Sequence, residues 1–372
     1  MKNILFAIII VLFTGCIEPY TPKNIDEVSD LLVIDGKITD NESVFEIKKS
    51  VGLLDKITDF EVIEDAELYV EKDNGERIPG VYDGNGSYIV KTGELEEGTR
   101  YRLFVAVGGE EYLSEYSSPL YTPEIDSISL TYTDEWNPVN IYVSTHDPAD
   151  RSKYYRWSYN EIWEVKADLF ASLGVIDGQL VDFSLSTPIN TYYCWRRNSS
   201  KSLIVASSEK LSENVIDRKK LTDFPLYDER IGIVYCIQVE QNSISREAYD
   251  YYSNLQKNVD QTGGLFAPIP SEMKGNIRCI TNPAIPVIGY VDVSTTTRKM
   301  LLIDYLWRYY FPMENRCLED ITKDTNFAYP RYAYFTLYGD GSYGYAPPLC
   351  VDCRLKAGAS KDRPDFWPNN HY

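Results

Sequence analysis

Seven cysteines and two histidines are the residues of this 372-residue chain best suited to chemistry, and their spacing sorts them. Cys16 follows Phe13-Thr14-Gly15, behind Lys2 and an unbroken apolar run from Ile4 to Phe13. Ten apolar residues span only about 15 Å as a helix, half a bilayer core, so the run reads as a secretion signal and not a membrane span. A lipoprotein signal peptidase needs a small residue before the cut and a thiol that accepts diacylglycerol. Gly15-Cys16 supplies both, with Phe13 standing where Leu is usual. Residues 1–15 are therefore expected to leave as a signal peptide, and Cys16 to carry the lipid. Each buried acyl methylene stabilises such an anchor by ~0.8 kcal/mol. Ile17 takes the place of the Asp that retains some lipoproteins at an inner membrane, which points to the outer one.

The other six cysteines are Cys194, Cys236, Cys279, Cys317, Cys350 and Cys353. An even count in an exported chain suggests three disulfides, and spacing alone leaves every pairing open. Cys350-Val351-Asp352-Cys353 is a CxxC, but Pro347-Pro348 precedes it and no helix-forming run follows, against a thioredoxin-like redox pair. A zinc knuckle needs a second close pair, and Cys317 stands alone. His146 sits in the turn Thr145-His146-Asp147-Pro148, and His371 is almost terminal. HExxH, GxSxG, P-loop and dinucleotide fingerprints are absent. No catalytic residue, metal ligand or cofactor is expected.

Loss of 15 residues leaves 372 − 15 = 357, room for more than one core. Formal charge is −19, and −20 once Lys2 has gone, so phosphate backbones are repelled and nucleic acid is excluded as a partner. The 31 Tyr and six Trp suit pleated, half-buried surfaces, and secondly a ligand-stacking platform.

These residues need elements to hold them, and the patterning is β throughout. Residues 16–30, with Pro19 and Pro22, read as a tether. From 31 to 123, short alternating runs such as Ala66-Leu68-Val70 and Tyr101-Leu103-Val105-Val107 alternate with Gly-rich turns. That spacing predicts an Ig-like or transthyretin-like β-sandwich. Residues 124–372 form a larger β-rich domain with longer aromatic strands at Ile128 to Tyr132, Val139 to Val143 and Tyr154 to Val165, then Leu203 to Ala206 and Ile231 to Val239. One amphipathic helix is expected at Arg246 to Val259, capped by Ser245 and ended by Gly263-Gly264, with Ala248, Tyr251, Tyr252, Leu255 and Val259 on one face. Trp136 and the run from Tyr154 to Trp163 crowd aromatic rings together. Strand alternation puts Tyr155, Trp157, Tyr159 and Trp163 on one face, and these are the ligand-contact candidates, with Glu161 and Glu164 favouring a neutral or cationic ligand.

Several local sequences together resemble one family. They are Thr191-Tyr192-Tyr193-Cys194-Trp195, Ser243-Ile244-Ser245, Gly263-Gly264-Leu265-Phe266-Ala267-Pro268, Lys274-Gly275-Asn276-Ile277-Arg278 and Val287-Ile288-Gly289-Tyr290-Val291. Cys350-Val351-Asp352-Cys353-Arg354 and Pro364-Asp365-Phe366-Trp367-Pro368 close the run. The chain resembles the Bacteroidota lipoprotein family catalogued as domain of unknown function 4249. The resemblance implies an outer-membrane lipoprotein, encoded beside a TonB-dependent receptor, and no known reaction. It leaves Cys236 and Cys279 outside the shared motifs, as candidates to pair with each other. The expected function is that of a lipid-anchored, surface-facing accessory to a TonB-dependent transporter, capturing ligand or acting as a lid. A structural scaffold of the envelope, and a carboxylate-based hydrolase, are the alternatives.

Overall fold

Alternation of period two writes itself directly into paired strands. Leu68 and Val70 lie opposite Val105 and Leu103, and all four side chains enter one core. Gly108 and Gly109, both at positive φ, make the two-residue turn between Val107 and Glu110, a backbone shape that side-chain-bearing residues resist. The computed structural model describes residues 31–50, 61–132, 138–177, 179–183, 185, 190–226, 228–262, 275–304, 317, 322–324, 333–336 and 343–368. The protein is mainly β, with 53% of the described residues in strands against 8% in helix. Cys16, the tether, Trp136, Gly263-Gly264 and His371 lie outside the described residues.

The first core belongs to a nine-stranded sheet. It runs from Ile277–Cys279 through Glu110–Ser114, Tyr101–Val107, Glu67–Lys72, Arg77–Gly84, Ser87–Gly93, Asn41–Lys49 and Leu32–Gly36 to Val287–Ile288. Residues from both halves of that path, among them Ile34, Phe45, Val70, Tyr88 and Leu103, share one buried cluster. The sheets do not divide at Pro123. Both edge strands come from residues 277–288, and Val293–Ser294 pairs in parallel with Ile38–Thr39. Ile277, Cys279, Val291 and Val293 fill the same core. Close backbone approach makes this insertion possible. A Cβ on Gly289 would sit 2.3 Å from the Ile34 carbonyl oxygen, and one on Gly275 would sit 1.7 Å from that of Gly289. The segment at 121–123 is pinned too: Gln241 Nε2 donates to the Pro123 carbonyl at 2.8 Å, and Ser243 Oγ to that of Tyr121 at 2.8 Å.

A second core lies between two further sheets. Val215–Phe224, Val139–His146 and Ile125–Thr131 form a three-stranded sheet, in that order. Opposite it, Thr296–Asp304, Val234–Ser243, Tyr154–Lys166, Tyr193–Ser199 and Ala359–Ser360 lie side by side, with Ile204–Ser207 also on the long strand. Ile141, Val143, Leu221 and Phe224 from the first meet Tyr155, Trp157, Tyr235 and Ile237 from the second. The other face of the larger sheet is covered in two places. Trp367 of the C-terminal strap packs on Ile162, Trp195, Val234 and Cys236. The helix Arg246–Thr262 lays Ala248, Tyr251 and Tyr252 against Val205 and Ile244, and Ser245 Oγ caps it by accepting from Ala248 N at 3.1 Å.

Candidate functional site

The aromatic stripe is not a binding face. Tyr155 and Trp157 are 0% and 1% exposed, and Tyr159 is buried with them in the second core. Tyr155 donates to the Ser152 carbonyl at 2.8 Å and Trp157 Nε1 to Gln241 Oε1 at 2.8 Å, so their polar atoms are satisfied inside. The expected face was right in its alternation and wrong in its role, because the three-stranded sheet covers it. Glu161 and Glu164 are likewise fully buried and face no ligand. Trp367 Nε1 donates to Glu164 Oε2 at 3.0 Å.

Trp163 alone of the four reaches a surface depression, a cleft of about 510 Å³ lined by Trp163, Arg196, Arg197, Asn198, Asp228, Glu229, Arg230 and Gly358. Three pieces of chain meet there. Antiparallel register sets Arg196 opposite Trp163 and Asn198 opposite Glu161, so all four share one face of the sheet. Asp228 caps the 3₁₀ turn Glu229–Ile231 by accepting from Arg230 N at 2.9 Å, which brings Glu229 and Arg230 to the rim. Gly358 comes from the strap, just before Ala359–Ser360 pairs with Trp195 and Arg196.

The cleft is held rigid by charge. Arg196 and Arg230 lie over the Trp163 ring, 5.6 and 5.7 Å from its centre. Glu229 accepts from Trp163 Nε1 at 3.2 Å and from Arg196 Nη1. Beneath them Glu161 accepts from Tyr235 OH at 2.7 Å, Asn198 Nδ2 at 3.0 Å and Arg230 Nη1 at 3.3 Å. A buried carboxylate with three donors is stable only as part of such a set. Burial, and then the neighbouring Glu161, hold the Tyr235 hydroxyl well above its ordinary range, so it stays a neutral donor.

Disulfides fix the strap. Cys194 pairs with Cys353, and Cys317 with Cys350, Cα atoms 5.7 and 5.8 Å apart. The CxxC cysteines thus bind different partners and form no redox pair with each other. Asp168 lies near the second bridge, with Cys317 Sγ 3.2 Å from its Oδ2, but both sulfurs there are already bonded to each other. The expected Cys236–Cys279 pair does not exist. Cys236 is in the Trp367 cluster, Cys279 is in the first core, and both are free and buried. His146 is exposed, its Nδ1 2.7 Å from Asp126 Oδ1.

Sequence reasoning missed Arg196, Asn198 and Asp228 to Arg230. The signal available was Trp195-Arg196-Arg197-Asn198, polar residues in series directly after a Cys-Trp pair, where a plain surface strand would alternate. Residues 17–300 match the family described as Domain of unknown function (DUF4249). The chain belongs to that family. The DUF4249 match takes in most of the cleft, and it stops before Gly358 and before the Cys350–Arg354 and Pro364–Pro368 pieces. No curated protein matches the chain. Among solved structures it is similar to the BSP domain of a biofilm-associated protein at 9% identity, spanning 80% of this chain and 63% of that one. The TM-score of 0.12 carries no argument about fold or function.

Proposed function

We propose that this DUF4249 protein is an outer-membrane lipoprotein, anchored through Cys16 and facing the exterior, that serves a TonB-dependent transporter by capturing ligand or covering its mouth. The observation that carries this reading is the Gly15-Cys16 junction behind a ten-residue apolar run, which tethers the body to a membrane. Two further facts support it. No helix among the described residues is long and apolar enough to cross a membrane. The cleft at Trp163 combines preorganised donors and acceptors, as a capture site requires. Purification in mild detergent tests the reading: a barrel protein at one-to-one stoichiometry is expected. Recovery of the lipoprotein alone, across detergents that keep outer-membrane complexes intact, would favour a scaffold role in the envelope. Cys16→Ala should release the body from the membrane fraction or leave uncut precursor.

A further inference from the structure

The unused donors and acceptors of the cleft narrow what it can hold. Among the described residues Arg196 donates only Nη1, to Glu229, which leaves its Nε and Nη2 for a ligand. Arg230 gives Nε to Asp228 and Nη1 to Glu161, leaving Nη2. On the acceptor side, Asp228 takes Arg230 through Oδ1 and keeps Oδ2. Glu229 takes Trp163 and Arg196 through Oε1 and keeps Oε2. Asn198 gives Nδ2 to Glu161 and keeps Oδ1. Arg197 is different: its guanidinium turns to the strap, donating to the Asp362 carbonyl at 2.7 Å and to Ser360 Oγ at 3.4 Å.

Charge then decides between ligand classes. Arg196 and Arg230 stand against Asp228 and Glu229, a local balance of 2 − 2 = 0, with Glu161 buried beneath Arg230 and Arg197 turned to the strap. An anion meets two carboxylates there, and a simple cation meets two guanidinium groups. A hydroxyl suits both, accepting from a guanidinium N–H while donating to a carboxylate oxygen. Trp163 is 7% exposed with two guanidinium groups over its ring, so recognition rests on hydrogen bonds and not on stacking. We propose that the cleft binds a neutral saccharide, whose neighbouring hydroxyls bridge the free donors of Arg196 and Arg230 to Asp228 Oδ2, Glu229 Oε2 and Asn198 Oδ1. This inference rests on the ligand-capture reading, but its test needs no transporter, so the two fail separately.

The experiment is calorimetric titration of the purified mature protein, in a detergent without a sugar head group, against neutral, acidic and basic trisaccharides. Maltotriose, xylotriose, cellotriose and mannotriose form the neutral arm, trigalacturonate the anionic arm and triglucosamine the cationic arm. At least one neutral sugar is expected to bind, at least tenfold more tightly than either charged one. Glu229→Gln and Asp228→Asn, each keeping the oxygen the protein itself uses, are expected to weaken it fivefold or more with the melting temperature unchanged. Three results would overturn the proposal: no neutral sugar binds, a charged sugar binds more tightly, or both variants bind as the parent does.

Discussion

Asp292 shows how a single buried carboxyl sets a pH dependence. It is 6% exposed and accepts from Ser245 N at 3.2 Å and Ser245 Oγ at 2.9 Å. Burial pushes its pKa up to about 6 from 3.8; those two bonds and the charge of Arg156 pull the other way, and Glu247 adds to the rise. A raised folded pKa means the folded chain keeps the proton after the unfolded chain has lost it. Stability therefore falls as pH rises from about 4 to about 6 and stays lower above that. Two pH units correspond to roughly 3 kcal/mol. Asp292→Asn should thus gain stability over the parent above pH 6.5, by about 2–3 kcal/mol more than at pH 4, in urea unfolding at both values. A difference independent of pH would show that the carboxyl does not titrate there. Glu161 matters through the groups it holds. Glu161→Leu leaves the buried Tyr235 OH without its acceptor and takes a partner from Asn198 and Arg230 at the cleft wall, and should cost about 3–5 kcal/mol by the same measurement. A cost under 1 kcal/mol would mean that water replaces the carboxylate.

The long strand Tyr154–Lys166 carries the aromatic cost of the second core at the scale of one element. Replacing Trp157 or Tyr155 with Ala removes a fully buried ring, and each should cost about 3–5 kcal/mol. Asn160→Ala, at an exposed position of the same strand, should stay within about 0.5 kcal/mol. Equal costs at the two kinds of position would mean that the three-stranded sheet does not cover the stripe. The same strand ends at the cleft, where Arg196 and Arg230 lie over Trp163 and Glu229 accepts a hydrogen bond from its Nε1. Stability and site therefore share one backbone, core at one end and rim at the other.

At the scale of the whole molecule, the segment 275–294 joins two units that sequence separates. A fragment of residues 31–123 lacks Ile277, Cys279, Val291 and Val293 from its core and both edge strands of its sheet. It should aggregate or stay expanded in size-exclusion chromatography, while the same fragment fused through a flexible linker to 275–294 should be monomeric and cooperatively folded. A folded monomer from 31–123 alone would show the inserted strands to be dispensable. Thiol chemistry probes the rest of the assembly. Denatured without reductant, the mature protein should expose two alkylatable thiols, Cys236 and Cys279, and in the native state neither. Burial pushes the Cys236 thiol up to about 12, which keeps it unreactive. Reducing the two bridges should lower stability by about 2–4 kcal/mol each and loosen the strap that carries Gly358 and Trp367.

Local pattern determined much of this protein. Alternation and turn residues sufficed for the mainly β fold, for the strands at Leu68, Leu103, Val139 and Tyr154, and for the helix capped by Ser245, because these depend on neighbours close along the chain. The strand Val215–Phe224 escaped notice because Asp217, Arg218, Lys219 and Lys220 interrupt its apolar face and two bulges break its register. The proposed lipid anchor at Cys16 likewise rests on consecutive residues. Tertiary structure alone decided which side of the aromatic stripe is covered, since a strand has two faces and only the packed partner sheet picks one. It decided the pairing of Cys194 with Cys353 across 159 residues, and left Cys236 and Cys279 apart in separate cores. It also assembled the cleft, whose walls come from residues 163, 196–198, 228–230 and 358. No local pattern joins positions so distant, because what brings them together is register across strands and a disulfide-bound strap.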